Sequence, residues 1–220
     1  MKIEIKKFKE NGFITLENTF DLATFELVKR ISIQLKKEYA NERLLGSAKP
    51  FGVPTYWKGV DMASKYSTKL YELYTSKVMT YIASILLETK TVYLFNDQVV
   101  VKQPKENFTF EKHFDNQYGP NPEMALDNKF KTITCCWVLD DFSKNNGPIT
   151  FFHQNGQVIT PLPKAGSLLI WDGNLVHSSS RNNTNNARCV WLNIYSNVDI
   201  QKVPTQKPFF KNFYNTKVSF

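Results

Sequence analysis

The chain lacks the material for a disulfide framework or a structural zinc site. It has three cysteines in 220 residues, Cys135, Cys136 and Cys189, and no Cys-x-x-Cys pair. The odd count and the apolar neighbours in TCCWVL and RCVWL argue against a stapled scaffold. They point instead to buried or half-buried thiols in a reducing, cytoplasmic setting. Adjacent residues on a strand face opposite ways, so Cys135 and Cys136 are expected on opposite faces. Long apolar runs are missing as well. The longest apolar-leaning segment, VMTYIASILL, is too short to span a bilayer. The opening MKIEIKKFKENGF holds no continuous apolar stretch, so no secretory leader is expected. Internal repeats are absent, and no stripe alternates basic with aromatic residues as a single-strand binder requires. The net charge of +8 is therefore read as scattered, solvated lysines, and no specific nucleic-acid partner is expected.

What is present describes a packed globular protein. Hydrophobic residues make up 42% of the chain and aromatics 14%, ample for a core within one domain. Residues 21–43 carry Leu22, Phe25, Val28, Ile31 and Leu35 at helical spacing. Residues 64–88 read as a second long helix through Leu70, Leu73, Tyr74, Met79, Ile82, Ile85 and Leu86. Between them, 47–59 is a loop broken by Pro50, Gly52 and Pro54. From residue 91 the character changes to short strands: TVYLFNDQVVVKQP, FTFEKHF, KTITCCWVL, PITFFH, SLLIWD and ARCVWLNIYS. Turns such as KNNGP, HQNG and NNTNN separate them. Helices followed by strands predict a mainly β fold with α. The expected core is a jelly roll (a cupin-like double-stranded β-helix) with the N-terminal helices packed on one sheet. The divisions are a helical N-terminal region over residues 1–90, a body over 91–198 and an irregular tail over 199–220, whose Phe209, Phe210, Phe213 and Tyr214 dock on the body.

Chemistry concentrates in EKHFDNQYGPN. His113 and Asp115 stand two apart, so on a strand both reach the same side. Alone, His-x-Asp equally describes a surface pair. A facial metal site needs two imidazoles and one carboxylate and leaves positions open at the ion. His177, at the end of a strand read through SLLIWDGNLVH, can supply the third ligand. Arg188 heads the apolar run RCVWLNIY eleven residues later, and a buried arginine there needs an anionic partner. A dicarboxylate that also chelates the metal would provide one. Arg181 competes for that role but lies in a Ser/Asn-rich loop. His153 reads as a structural or turn histidine before a fourth ligand or catalytic acid, Asp140, Asp141 and Asp172 read as turn acids, and Trp171, Trp191 and Tyr195 read as core before pocket lining. Residues 116–130 read as a long flexible loop and a candidate lid.

Three stretches together, HFD, TCCWVLDDFSKNNGPI and PLPKAGSLLIWDGNLVHSSSRNNTNNAR, resemble the phytanoyl-CoA dioxygenase-like family of iron(II)- and 2-oxoglutarate-dependent dioxygenases. The opening FKENGFITLEN is similar to the family's start, and the likeness runs from about residue 8 to 197. It implies His113, Asp115 and His177 as iron ligands. It implies Arg188 and Ser179 as partners of the distal carboxylate of 2-oxoglutarate, and Trp137 as an aromatic lining the cosubstrate pocket. Lys102 and Gln98 match pocket-lining positions. The implied cofactors are Fe(II), 2-oxoglutarate and O2, and the implied partner is a small-molecule substrate. With Asp115 in place, hydroxylation is expected rather than halogenation. FFHQNG departs from the family's usual turn and places His153 near the substrate side. A cupin-like metal-binding module without redox activity, a nucleic-acid-modifying dioxygenase and a purely structural jelly roll remain the competing readings.

Overall fold

The computed structural model describes residues 3–39, 59–118, 121–126, 129–199, 202–203 and 217–219. Its strands are β1 (Phe13–Leu16), β2 (Gly59–Asp61), β3 (Thr91–Lys102), β4 (Phe110–His113), β5 (Thr132–Val138), β6 (Ile149–Phe152), β7 (Val158–Ile159), β8 (Leu168–Asp172), β9 (Val176–Ser179), β10 (Arg188–Ser196) and β11 (Lys217–Ser219). The larger sheet runs β1-β8-β5-β10-β3-β11, with β2 also paired to β3, and the smaller runs β4-β9-β6-β7. Every pairing in both sheets is antiparallel. Two facing sheets with such crossed connections form the predicted jelly roll.

Helices α1 (Ile5–Asn11), α2 (Leu22–Tyr39), α3 (Thr68–Tyr74) and α4 (Lys77–Leu87) cover the outer face of the larger sheet. Phe25, Val28 and Leu35 of α2 join Leu70, Tyr74, Met79 and Ile82 in one core with Val99, Cys135, Trp137, Ile170 and Trp191 of the sheet. Full burial of each such side chain contributes roughly 1.5–3 kcal/mol, so this layer is the main source of cohesion. A second core, with Val100, Cys136, Val138, Phe151, Leu169 and Val190, fills the space between the sheets. Cys135 and Cys136 thus lie on opposite faces of β5, and all three cysteines are buried and unpaired.

The fold departs from the expectations in four places. Residues 64–88 are not one helix. A 3-10 turn at Ala63–Tyr66 leads into α3, and α4 starts afresh after a break at Thr75 and Ser76. Ser67 and Ser76 are extended and accept hydrogen bonds from the amides of Leu70 and Met79, so each caps a new N-terminus. Secondly, SLLIWDGNLVH is two strands, β8 and β9, in different sheets. Gly173 makes the turn: a Cβ there would sit 1.9 Å from Oγ1 of Thr132. Asp172 Oδ1 accepts from the Asn174 amide and shapes the same turn. Thirdly, the tail read as irregular contributes β11 to the larger sheet. Fourthly, the segment 116–130 contains a 3-10 turn (Asp115–Tyr118) and α5 (Pro122–Leu126). Ala125 and Phe130 are buried against Phe95 and Val203. The described part of the segment thus holds helical turns and buried anchors where a loop was expected.

The 47–59 loop, up to residue 58, and the four tail aromatics lie outside the described residues. No helix among the described residues is long and apolar enough to cross a membrane.

Candidate metal centre

The inner faces of the two sheets enclose a cavity with about 520 Å³ of empty space, counted out to its open mouth. β4 and β9 of the smaller sheet place His113 directly opposite His177, and the two rings lie 4.4 Å apart. Asp115 follows β4 into the 3-10 turn and brings its carboxylate between them. Oδ1 of Asp115 is 3.7 Å from Nε2 of His113 and 3.5 Å from Nε2 of His177. One donor atom from each residue falls within 4.8 Å of the others, the only such cluster among the described residues.

The tautomers follow from the hydrogen bonds. Nδ1 of His113 contacts the carbonyl of Glu111 at 2.7 Å, and Nδ1 of His177 contacts the carbonyl of Leu175 at 2.9 Å. A carbonyl can only accept, so each Nδ1 carries the proton and each Nε2 turns its lone pair into the cavity. Burial holds the pKa of His177 below the ordinary imidazole value. Asp115 opposes that shift and the His113 ring adds to it. A neutral imidazole is the ligating form. Donors about 2.1 Å from one ion and at right angles lie about 3 Å apart, so the set closes on an ion with a small side-chain adjustment. Two imidazoles and one carboxylate on one side suit a divalent transition metal with open positions. The residues fit the group that the sequence implied.

Arg188 lines the same cavity, buried to 2% exposure. Its Nη2 donates to the carbonyl of Gly147 at 2.9 Å and lies 3.5 Å from Oγ of Ser179, and Nε reaches the carbonyl of Asn146 at 3.4 Å. The Phe142 ring centre is 4.9 Å from its guanidinium carbon. No carboxylate lies within salt-bridge distance of it among the described residues. Burial pulls its pKa down against the pull of nearby Asp140. A buried guanidinium held by carbonyls and a hydroxyl lacks the anionic partner that would offset its desolvation. Gly147 makes the cradle possible. It has φ +76°, and a Cβ would stand 2.4 Å from the Ser180 carbonyl and 2.8 Å from Cδ of Lys102.

The other predicted residues divide. Ser179 lines the cavity and donates to the Gly147 carbonyl at 2.9 Å. Gln98 lines it too, and its side chain makes no hydrogen bond among the described residues. Trp137 does not line it. It faces the helices, stacked on Phe20 with ring centres 4.7 Å apart, and its indole donates to Asn193. Lys102 does not line it either. Its ammonium is fully buried and donates to the carbonyls of Phe108, Ser179 and Ser180. Burial, and secondarily the Arg188 charge, lower its pKa to about 7, against Glu106. Arg181 is exposed, and His153 sits in the β6–β7 turn. Asp140 does more than shape a turn: it binds Lys29 of α2 and the Cys189 amide of β10.

Trp171 belongs to the core between the sheets and also to the cavity wall, and its register partner is Thr134 of β5. Both donate to Asp115. Val100, Phe110, Ile149, Val190 and Leu192 complete a mostly apolar wall.

No family model and no curated protein matches the chain by sequence. Solved structures do match by shape. EctD from S. alaskensis, crystallised with 2-oxoglutarate and 5-hydroxyectoine, has a TM-score of 0.73 at 17% identity, covering 87% of this chain and 74% of that one. The non-heme, alpha-ketoglutarate-dependent epimerase SnoN from nogalamycin biosynthesis gives 0.68 at 18%, covering 87% and 80%. AviO1 from Streptomyces viridochromogenes Tue57 gives 0.69 at 18%, covering 87% and 92%. At these identities the likeness establishes the fold.

Proposed function

We propose that the chain is a non-haem iron(II)- and 2-oxoglutarate-dependent oxygenase, of the phytanoyl-CoA dioxygenase-like type, that hydroxylates a C–H bond of a small organic substrate. One observation carries this reading: a His-Asp-His donor set and a buried arginine without a carboxylate partner share one cavity. Two of the structures with the same fold are described as dependent on, or bound to, the same 2-oxo acid, which supports the choice.

Nε2 of His113, Nε2 of His177 and Oδ1 of Asp115 would hold the iron. Arg188 and Ser179, both in the cavity wall, would take the far carboxylate of 2-oxoglutarate. When bound, iron and the 2-oxo acid supply the means to use O2 for C–H oxidation, with succinate and CO2 released. The chain's own share is placement and exclusion of water. The two Nδ1–carbonyl bonds fix the imidazole planes. The Gly147 carbonyl, accepting from both Arg188 and Ser179, fixes the anion receptor. The apolar wall of Val100, Val190 and Leu192 keeps the reacting region dry and suits an apolar portion of the substrate. Gln98 is the polar group on that wall able to orient a substrate by an amide contact.

Succinate formation from 2-oxoglutarate and O2 tests the reading. It is expected to require added Fe(II) and to vanish in His177→Ala. Metal binding without any succinate, with or without a substrate panel, would favour a non-redox metal-binding module.

A further inference from the structure

Asp115 enters the cavity with one oxygen already committed. Oδ2 accepts a hydrogen bond from Oγ1 of Thr134 at 2.7 Å and another from Nε1 of Trp171 at 2.9 Å. A carboxylate oxygen offers about two lone-pair positions, and both of Oδ2 are taken. The other oxygen, Oδ1, is the one near the two histidine Nε2 atoms.

The two donors form a single structural unit. Thr134 and Trp171 are register partners across β5 and β8. Both are buried, at 1% and 2% exposure. They belong to the larger sheet, whereas His113 and His177 belong to the smaller one. The carboxylate is thereby tied across the cavity, from the end of β4 to the opposite sheet. A β5–β8 pair needs neither a hydroxyl nor an indole N–H for its own ladder. These polar atoms are spent on Asp115.

We propose that Thr134 and Trp171 are positioning residues for metal ligation: together they hold Asp115 so that it presents Oδ1 alone to the ion. The proposal rests on the metal-centre reading and adds to it a cross-sheet device that sets the aim of the only anionic ligand. Partners of this kind commonly matter about tenfold to a hundredfold in metal affinity.

The experiment is Co(II) binding to the full chain, followed by titration calorimetry, for wild type, His177→Ala, Thr134→Val and Thr134→Ser. Valine keeps the shape and burial of threonine and removes only the donor. Serine restores the donor and removes a methyl group. Thr134→Val is expected to weaken Co(II) binding by about tenfold, with Thr134→Ser recovering most of the loss. The thermal midpoint of the metal-free Thr134→Val protein, measured alongside, identifies any loss of folding. Trp171→Phe, which removes the second donor, is expected to act in the same direction.

A separate signature comes from the indole N–H resonance of Trp171 in labelled protein, assigned by its loss in Trp171→Phe. Zn(II) is expected to shift it, while the Trp191 indole, bonded to Asp97, stays put. Wild-type Co(II) affinity in both Thr134→Val and Trp171→Phe overturns the positioning role while leaving the metal centre standing. Failure of wild type to bind Co(II), or binding indifferent to His177→Ala, removes the metal centre and the positioning role with it.

Discussion

His113 and His177 are register partners on β4 and β9, and each ties its Nδ1 to the backbone carbonyl two residues before it. The same local device, used twice on adjacent strands, turns both Nε2 atoms toward one carboxylate.

A pH dependence follows from His177. Burial lowers its pKa, so its neutral form persists below the ordinary imidazole range. A proton and the metal compete for the same imidazole lone pair, so the charged ring cannot ligate. The share of metal affinity that His177 supplies is therefore expected to persist to lower pH than an ordinary imidazole would allow. Zn(II) or Co(II) titration at a series of pH values checks this. A decline beginning above neutrality would contradict it.

Arg188→Met is expected to separate cosubstrate binding from metal binding, because it removes the cation in the cavity wall and leaves the ligand set untouched. A charge-assisted hydrogen bond is worth about 1.5–3 kcal/mol, so 2-oxoglutarate affinity is expected to fall about tenfold to a hundredfold. Co(II) affinity without 2-oxoglutarate is expected to stay unchanged. Calorimetry on the same protein reads both.

Cosubstrate binding at Arg188 is expected to draw a proton onto Lys102. Its pKa of about 7 leaves the group part-neutral near pH 7.5 before any anion arrives. A dicarboxylate beside Arg188 favours the ammonium and raises that pKa. Proton uptake on binding is therefore expected between about pH 7 and 9, with affinity declining as pH rises through that window. The binding enthalpy is expected to vary with the ionisation enthalpy of the buffer, and to stop doing so in Lys102→Met. Folding stability responds in the opposite direction. The unfolded chain keeps the Lys102 proton up to about pH 10.4, the folded chain loses it near 7, and so this group's contribution to stability rises with pH between those values.

Gly147→Ala is expected to damage both folding and cosubstrate binding. The left-handed φ alone disfavours a side chain, and the Ser180 carbonyl stands where the methyl would go. The loss is expected to exceed about 1 kcal/mol in denaturant titration. Some of it is expected to appear as weaker 2-oxoglutarate binding, because the Gly147 carbonyl anchors Arg188.

Much of this was legible in the chain itself, and the failures have physical causes. The strand-rich body, the His-x-Asp pair, His177 and the strand-heading Arg188 all show in residue type and spacing. Trp137, expected at the pocket, packs under the helices, whereas Trp171 is core as expected and also lines the cavity. β5 is buried along its whole length on both faces, so no polar alternation marks which side of it looks inward. Lys102 ends an apolar strand, but the carbonyls that hold it come from residues 6 to 78 positions away. The breaks before α3 and before α4 were written in Ser67 and Ser76, whose capping role is invisible to apolar spacing. The turn at Gly173 hid inside an apolar run that reads as one strand.

The most direct measurement is an anaerobic titration of the metal-free protein with Fe(II) and then 2-oxoglutarate, watched for the weak visible absorption of an iron-chelated 2-oxo acid. In wild type the band is expected to appear and saturate, and in Arg188→Met to need far more 2-oxoglutarate. Bound iron with no band at any 2-oxoglutarate concentration would contradict the assignment of this cavity to a 2-oxoglutarate-dependent oxygenase.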